Sequence, residues 1–150
     1  MSQNFQHIIA QLPYGKPFLF VDELTSLTED GATGTYTFQS DSYFYEGHFK
    51  NRPITPGVIL TECMAQIGVV CLGLFLLKDL ETAQAQIALS NQTIDFYEPV
   101  FPGETVRVIS EKEYFRFHKL KCNVKMLNAA GTVVAKGTIS GMINGTSKQT

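Results

Sequence analysis

Tryptophan is absent from the chain, and several other things are scarce enough to exclude whole classes of protein. Twelve glycines and six prolines in 150 residues leave no room for a collagen-like or linker-like polymer. A basic excess is missing as well. Twelve Lys and Arg face 14 Asp and Glu, a net charge of −2, so no broad electrostatic grip on nucleic acid is expected. Cysteine occurs three times, at Cys63, Cys71 and Cys122, always within apolar patterns, which does not make a disulfide framework. On a shared helix Cys63 and Cys71 would lie ~12 Å apart along the axis and ~80° apart around it, so they cannot bridge. They read as small core hydrophobes. No His/Cys cluster has metal-ligand spacing, and no P-loop, dinucleotide fingerprint or Gly-x-Ser-x-Gly elbow occurs. The start, Met1 to His7, has no basic stretch, and the apolar run Ile8-Ile9-Ala10 is too short for a secretory signal. A cytoplasmic location is expected.

One long hydrophobic run is present. Val58 to Leu77 approaches the ~20 residues that span a bilayer. It carries Glu62 and Gln66, however, and only the 15 residues from Cys63 to Leu77 are free of Asp, Glu, Lys, Arg and His. The run therefore reads as a buried helix rather than a membrane span. With 44% hydrophobic residues in 16.7 kDa, the chain has material for one core and one domain over 1–150, with 144–150 as a frayed tail.

Periodicity sketches the elements. Phe5 to Leu12 is predicted as a short amphipathic helix stopped by Pro13. Pro17 to Leu27 and Thr35 to Gln39 read as strands, with Gly31 and Gly34 marking the turn between them. Ser40 to Pro56 is irregular and aromatic, the kind of segment where sites sit on a rigid scaffold. The apolar helix follows, from Gly57 to Lys78, hydrophobic nearly all round, so other structure must wrap it. After a polar connection, Lys78 to Gln84, period-two alternation predicts strands at Ile87 to Phe96, Glu104 to Phe117, Leu120 to Met126 and Val133 to Ile143. A hairpin turn is expected at Asn128-Ala129-Ala130-Gly131. One long buried helix wrapped by a mostly antiparallel sheet is an α+β architecture. A single sheet cannot cover such a helix on every side, which points to a dimer.

The chemistry concentrates between Gly47 and Gln66. Pro56 suits a first helical turn, and Gly57 beside it presents an N–H with no intrahelical partner, a candidate oxyanion site. Glu62 lies one turn further on, on an otherwise apolar helix. Desolvation there favours the protonated form that a general acid needs. Gln66 shares its face at i,i+4. His48, in the loop before the helix, is the candidate base. His7 and His118 lie in less favourable settings, a short helix and a basic turn. From these residues alone the reading stops at a His/carboxylate acid–base site.

The motifs go further when taken together. Leu12-Pro13-Tyr14-Gly15-Lys16-Pro17-Phe18-Leu19-Phe20-Val21-Asp22, then Gly47-His48-Phe49, Pro53-Ile54-Thr55-Pro56-Gly57-Val58, Glu62-Cys63-Met64-Ala65-Gln66, and Phe96 with Pro99-Val100-Phe101-Pro102-Gly103-Glu104 run through the chain in order. In this the sequence resembles the 3-hydroxyacyl-acyl-carrier-protein dehydratases of the hotdog-fold superfamily, from roughly Phe5 to Ile143. The resemblance implies reversible dehydration of a 3-hydroxyacyl carrier thioester to the trans-2-enoyl thioester, in fatty acid, lipid or polyene synthesis. It assigns His48 as base, Glu62 as acid, Gly57 and Val58 to the oxyanion and substrate, and Gln66 as support for the carboxylate. Glu62, where a related branch has Asp, matches the branch that dehydrates without isomerising. The implied assembly is a homodimer, or a trimer of dimers, whose site takes His48 and Glu62 from different chains. No metal or bound cofactor is implied, since the phosphopantetheine arm belongs to the substrate. The partner is an acyl carrier protein.

Three departures stand out. Lys50-Asn51 replaces the family's Pro-Gly after His48-Phe49, and Tyr14 replaces a common His. Asp95-Phe96-Tyr97-Glu98 stands where basic residues are usual, so Lys50, Arg52, Arg116, Lys119 and Lys121 are the alternative basic patch for an acidic carrier. Two other readings use the same fold: a non-catalytic acyl-binding partner of a heteromeric dehydratase, and an acyl thioesterase.

Overall fold

The computed structural model describes residues 5–77 and 86–144. Its elements are α1 (Gln6–Ile9), β1 (Glu23–Thr28), β2 (Gly31–Thr37), a 3-10 turn (Tyr43–Glu46), α2 (Gly57–Ala65), a π-helical segment (Gln66–Val70), α3 (Cys71–Leu76), β3 (Gln86–Phe96), β4 (Thr105–Arg116), β5 (Lys119–Leu127) and β6 (Val133–Asn144). The strands form one sheet in the order β1-β2-β4-β5-β6-β3, and all neighbours are antiparallel. Consecutive strands β4, β5 and β6 are adjacent, whereas β3 crosses to the far edge and pairs with β6.

The helix from Gly57 to Leu76 lies against this sheet as its core. By length and composition it could cross a membrane, but 83% of its apolar window is buried inside the fold. Ile59, Leu60, Cys63 and Met64 of α2, Ile67, Val69 and Val70 of the π segment, and Cys71, Leu72 and Leu74 of α3 are all buried. Alternation in β5 supplies the facing layer: Leu120, Cys122, Val124 and Met126 point inward. The three cysteines are free and buried, as their apolar settings predict.

The late strands fall within a residue or two of their predicted bounds, and the β5–β6 turn forms where expected. Asn128 Oδ1 accepts from the N–H groups of Ala130 and Thr132, and Gly131 adopts φ +85°.

The early part differs. β1 begins only at Glu23, so the predicted strand from Pro17 to Leu27 loses its first half. Between Phe18 and Phe20 a side chain replaces a neighbouring strand: Gln66 Oε1 accepts from Phe20 N at 2.7 Å and Gln66 Nε2 donates to Phe18 O at 3.0 Å. Gly31 and Gly34 lie inside β2, not in a turn. At Gly31 a Cβ would stand 2.1 Å from the Ser110 carbonyl oxygen, so glycine permits close approach of β4. The predicted helix over Phe5 to Leu12 shortens to Gln6–Ile9, although Phe5, Ile8 and Leu12 are buried as its stripe requires. The central helix also contains a π-helical turn that periodicity did not indicate. Ser110 Oγ donates to Gly68 O there at 2.8 Å, satisfying a carbonyl within the widened turn. The polar connection at 78–84 and the tail beyond Asn144 lie outside the described residues, whereas Asn144 itself ends β6.

Candidate active site

His48 is positioned by a short network that the Pro-rich loop makes possible. Tyr45, buried at the end of the 3-10 turn, hydrogen-bonds Thr55 Oγ1 at 2.5 Å. Thr55 N donates to Val100 O at 2.9 Å, and Ile54 N donates to His48 O at 2.8 Å. His48 Nδ1 lies 2.8 Å from Ile54 O. A carbonyl can only accept, so Nδ1 carries the hydrogen and Nε2 of the neutral ring keeps its lone pair. Phe49 stacks on the imidazole at 4.1 Å and 24°. Lys50-Asn51 is accommodated in a closed turn, with Phe49 N donating to Arg52 O and Arg52 N to Phe49 O, both at 3.0 Å. The change from Pro-Gly therefore leaves the histidine anchored.

Gly57 opens α2 behind Pro56, which has the extended conformation of an N-cap. Its own N–H belongs to the first turn, where no intrahelical acceptor exists. A Cβ at Gly57 would stand 3.3 Å from the Phe96 ring, tight enough to press on the wall of the site. Two grooves meet here. One, of about 370 Å³, is lined by His48, Thr55, Gly57, Leu60, Phe96 and Tyr97 among others. The other, of about 550 Å³, is lined by Gly57, Val58, Thr61, Gln92, Ile94 and Phe96. Val58 is 75% exposed at the mouth of this second groove.

Glu62 and Gln66 form the other half. Gln66 is fully buried and donates from Nε2 to Glu62 Oε2 at 3.0 Å. Burial pushes the half-buried Glu62 carboxyl above its ordinary value, and the Gln66 hydrogen bond acts in the opposite direction. Tyr14 lies close by, its phenol pushed up to about 12 by burial and then by the Glu62 carboxylate. Sequence reasoning noted Tyr14 only as a departure from a motif, and that departure was the available signal. Glu62 lines neither groove. Within one protomer, then, His48 and Gly57 share a groove, Gly57 and Val58 share the next, and Glu62 is tied to Gln66 apart from His48. Among the described residues, no group of three or more His, Cys, Asp or Glu could hold a metal ion.

An antiparallel sheet around one buried helix, with a tautomer-fixed histidine before that helix and a desolvated carboxyl on it, defines a hotdog-fold protein equipped for acid–base chemistry. Solved structures agree on the fold. The dehydratase heterocomplex ApeI:P from Xenorhabdus doucetiae is similar at TM-score 0.76 and 14% identity, over 94% of this chain and 91% of that one. The protein smu.793 from Streptococcus mutans, bound to acetyl CoA, is similar at TM-score 0.63 and 14% identity, over 91% and 98%. Sequence goes further. The family model of the FabA-like domain matches residues 12–142. The 3-hydroxyacyl-[acyl-carrier-protein] dehydratase FabZ of Ehrlichia chaffeensis is 30% identical over 95% of this chain and 96% of the relative. That of Sinorhizobium medicae is 33% identical over 95% and 90%. The chain belongs to the FabA-like family.

Proposed function

We propose that the chain is a 3-hydroxyacyl-acyl-carrier-protein dehydratase, a hydro-lyase that takes a carrier-bound 3-hydroxyacyl thioester to the trans-2-enoyl thioester and back. The observation that carries this is the His48 geometry: Nδ1–H is committed to Ile54 O, which leaves Nε2 as the basic atom, and His48 lines the same groove as Gly57, the first residue of α2. A proton beside a thioester carbonyl is a poor acid, so the enolate-like oxygen needs stabilisation as the proton leaves. Gly57 N–H at the positive end of α2 supplies it. His48 Nε2 takes the C2 proton. Glu62, whose burial favours the protonated form, gives a proton to the departing C3 hydroxyl, which leaves as water. No redox partner or metal is needed, because two protons and one C–O bond account for the change.

Glu62 lies outside the groove of its own His48, and one site therefore combines His48 and Gly57 of one copy with Glu62 and Gln66 of another. Val58 and the edge strand β3, which pairs only with β6 among the described residues, fit the contact between two copies of the chain.

Absorbance of the enoyl thioester, followed with a medium-length 3-hydroxyacyl carrier substrate, tests the reaction; a free-thiol assay runs beside it. His48→Ala and Glu62→Gln should each abolish enoyl formation. Mixed in equal amounts and allowed to exchange, the two inactive variants should regain about a quarter of wild-type activity, since half the dimers are mixed and each has one intact site of two. Thiol release without enoyl would replace the dehydratase with a thioesterase. No regain on mixing would place His48 and Glu62 of one site in the same chain.

A further inference from the structure

The buried pair Tyr45 and Thr55 holds one hydrogen more than it uses. Their side-chain oxygens lie 2.5 Å apart, and each carries a hydroxyl hydrogen. One of the two hydrogens fills the gap between them. Among the described residues neither oxygen has a second hydrogen-bonding partner, so the other hydrogen is left over. Which residue keeps it follows from where each lies. Tyr45 is 6% exposed and lines neither groove at the site. A phenol hydrogen left over there would be buried without an acceptor, the costlier arrangement. Thr55 is 3% exposed, yet it borders the groove that His48 and Gly57 share. A phenol is also the stronger donor of the two, and burial pushes that of Tyr45 above its ordinary value, which keeps its proton in place. Tyr45 therefore donates, Thr55 Oγ1 accepts, and the Thr55 hydrogen is left to the groove.

The backbone around Thr55 is committed on both sides. Its N–H is taken by Val100 O at 2.9 Å and is not available to a substrate. Ile54, the residue before it, holds the His48 ring through its carbonyl. Pro56, the residue after it, has no N–H, and Gly57 follows with the first N–H of α2. Of the other residues lining this groove, Ile54, Leu60, Phe96 and Pro99 offer no side-chain hydrogen bond, and Tyr97 and Glu98 are exposed. The Thr55 hydroxyl is thus the buried side-chain donor nearest in sequence to the Gly57 N–H, on the same groove as the base.

We infer that Thr55 is a second oxyanion donor: its hydroxyl and the Gly57 N–H both hydrogen-bond the thioester oxygen while His48 withdraws the C2 proton, and Tyr45 polarises that hydroxyl from behind. This rests on the dehydration proposed above and adds a residue to its site. No bond is made or broken at Thr55, whose hydroxyl stays protonated throughout. The negative charge that builds on the thioester oxygen is shared by two donors instead of one. A hydroxyl that itself accepts from a phenol is the better donor, since hydrogen bonds in a chain polarise one another. Such donors count most where they are already in place and water is excluded.

Three variants of the full chain separate this role from plain support of the loop. Thr55→Val keeps the side-chain shape without the hydroxyl, and its kcat for dehydration should fall about 100-fold while KM changes by less than about threefold. Thr55→Ser restores the hydroxyl and should bring kcat back to within about fivefold of wild type. Tyr45→Phe breaks the same hydrogen bond as Thr55→Val but leaves the Thr55 hydrogen facing the groove, so kcat should fall only about fivefold. Both should lower Tm, so a gap in kcat between them is not a difference in folding. Infrared difference spectra of bound trans-2-enoyl N-acetylcysteamine, isotope-labelled at the carbonyl carbon, read the oxyanion donors directly. The carbonyl stretch should lie lower in wild type and Thr55→Ser than in Thr55→Val. Equal kcat in wild type and Thr55→Val overturns the inference, as does an equal loss in Thr55→Val and Tyr45→Phe, or a carbonyl stretch that Thr55→Val leaves in place. If the wild type dehydrates no 3-hydroxyacyl thioester, the proposed reaction fails, and the infrared shift still decides whether Thr55 reaches the thioester oxygen. Failure of the wild type to bind the enoyl thioester overturns both.

Discussion

Replacing Gln66 with methionine isolates what one side-chain amide does for both fold and chemistry. The two side chains are unbranched and similar in volume, so Gln66→Met leaves no cavity. It removes three hydrogen bonds: Phe20 N to Oε1 at 2.7 Å, and Nε2 to Phe18 O and to Glu62 Oε2, each at 3.0 Å. Phe20 is 1% exposed, so its N–H is left without solvent and costs the full ~1–3 kcal/mol of an orphaned buried donor. Phe18 is 38% exposed, and its carbonyl can turn toward water at ~1 kcal/mol. The sum is about 2–4 kcal/mol, or about 5–15 °C in Tm for a chain of this size. Thermal denaturation at fixed protein concentration reads it, since association would otherwise shift the midpoint. Losing the Glu62 contact frees the carboxyl proposed as the acid to rotate, and kcat for dehydration should fall about 100-fold. Gln66→Glu is the companion variant. It keeps an acceptor for Phe20 N–H but sets a second carboxyl against Glu62, so its stability deficit should widen as pH rises and both groups are pressed to ionise. A Gln66→Met protein with Tm within about 2 °C of wild type and kcat within about threefold would refute the reasoning, because neither Pro17–Asp22 nor Glu62 would then depend on the amide.

Other variants test other parts of the structure. Burial raises the Glu62 pKa above its ordinary value of 4.5, so the folded chain holds that proton more tightly than the unfolded chain. The stabilisation is complete below the unfolded pKa and is lost as pH rises through the folded one. Glu62→Gln should therefore melt higher than wild type at about pH 7 and match it near pH 4, while losing dehydratase activity; identical melting curves across that range would contradict the desolvation. Ser110→Ala removes the hydrogen bond to the Gly68 carbonyl in the π turn and should cost about 0.5–1.5 kcal/mol in denaturant unfolding, whereas an unchanged midpoint would show the serine to be dispensable there. At Gly137 a Cβ would stand 1.8 Å from the Thr93 carbonyl oxygen, so Gly137→Ala should push β3 from β6 and cost about 3 kcal/mol or more. Faster amide exchange confined to β3 and β6 would locate that damage, and native-like protection along both strands would contradict it.

The contrast between the two halves of the chain shows what a sequence states locally and what it leaves to packing. Residues 105–144 alternate because each strand has one face on the helix and one face outward, and alternation is a property of neighbours along the chain. Nothing local distinguishes Gly31 in a strand from Gly31 in a turn; the reason for it is the Ser110 carbonyl, 79 positions away in β4. Pro17 to Asp22 has the composition of a strand, and Phe20 and Val21 within it are buried. It is not one, because Phe18 O and Phe20 N bond to the Gln66 amide, and only at Asp22, whose N–H reaches Thr35 O, does backbone pairing with β2 begin. The π turn is invisible for the same reason, since Ser110 supports it from across the core. The candidate site divides along that line. His48, Gly57, Glu62 and Gln66 could be named because acid, base and helix N-terminus occupy 19 consecutive positions and each is an anomaly in its surroundings. The tautomer of His48 rests on a carbonyl six residues away, and the closeness of Tyr14 to Glu62 depends on how the first segment folds back over the helix. Phe117 is the opposite case. Its anomaly lies in being neither buried nor unstrained, which the sequence conceals and the turn geometry exposes. An aromatic in the Arg-Phe-His-Lys run could equally have folded inward. It projects instead from a hairpin turn better suited to Asn-Gly, a geometry set by the pairing of β4 with β5 and not by the run itself.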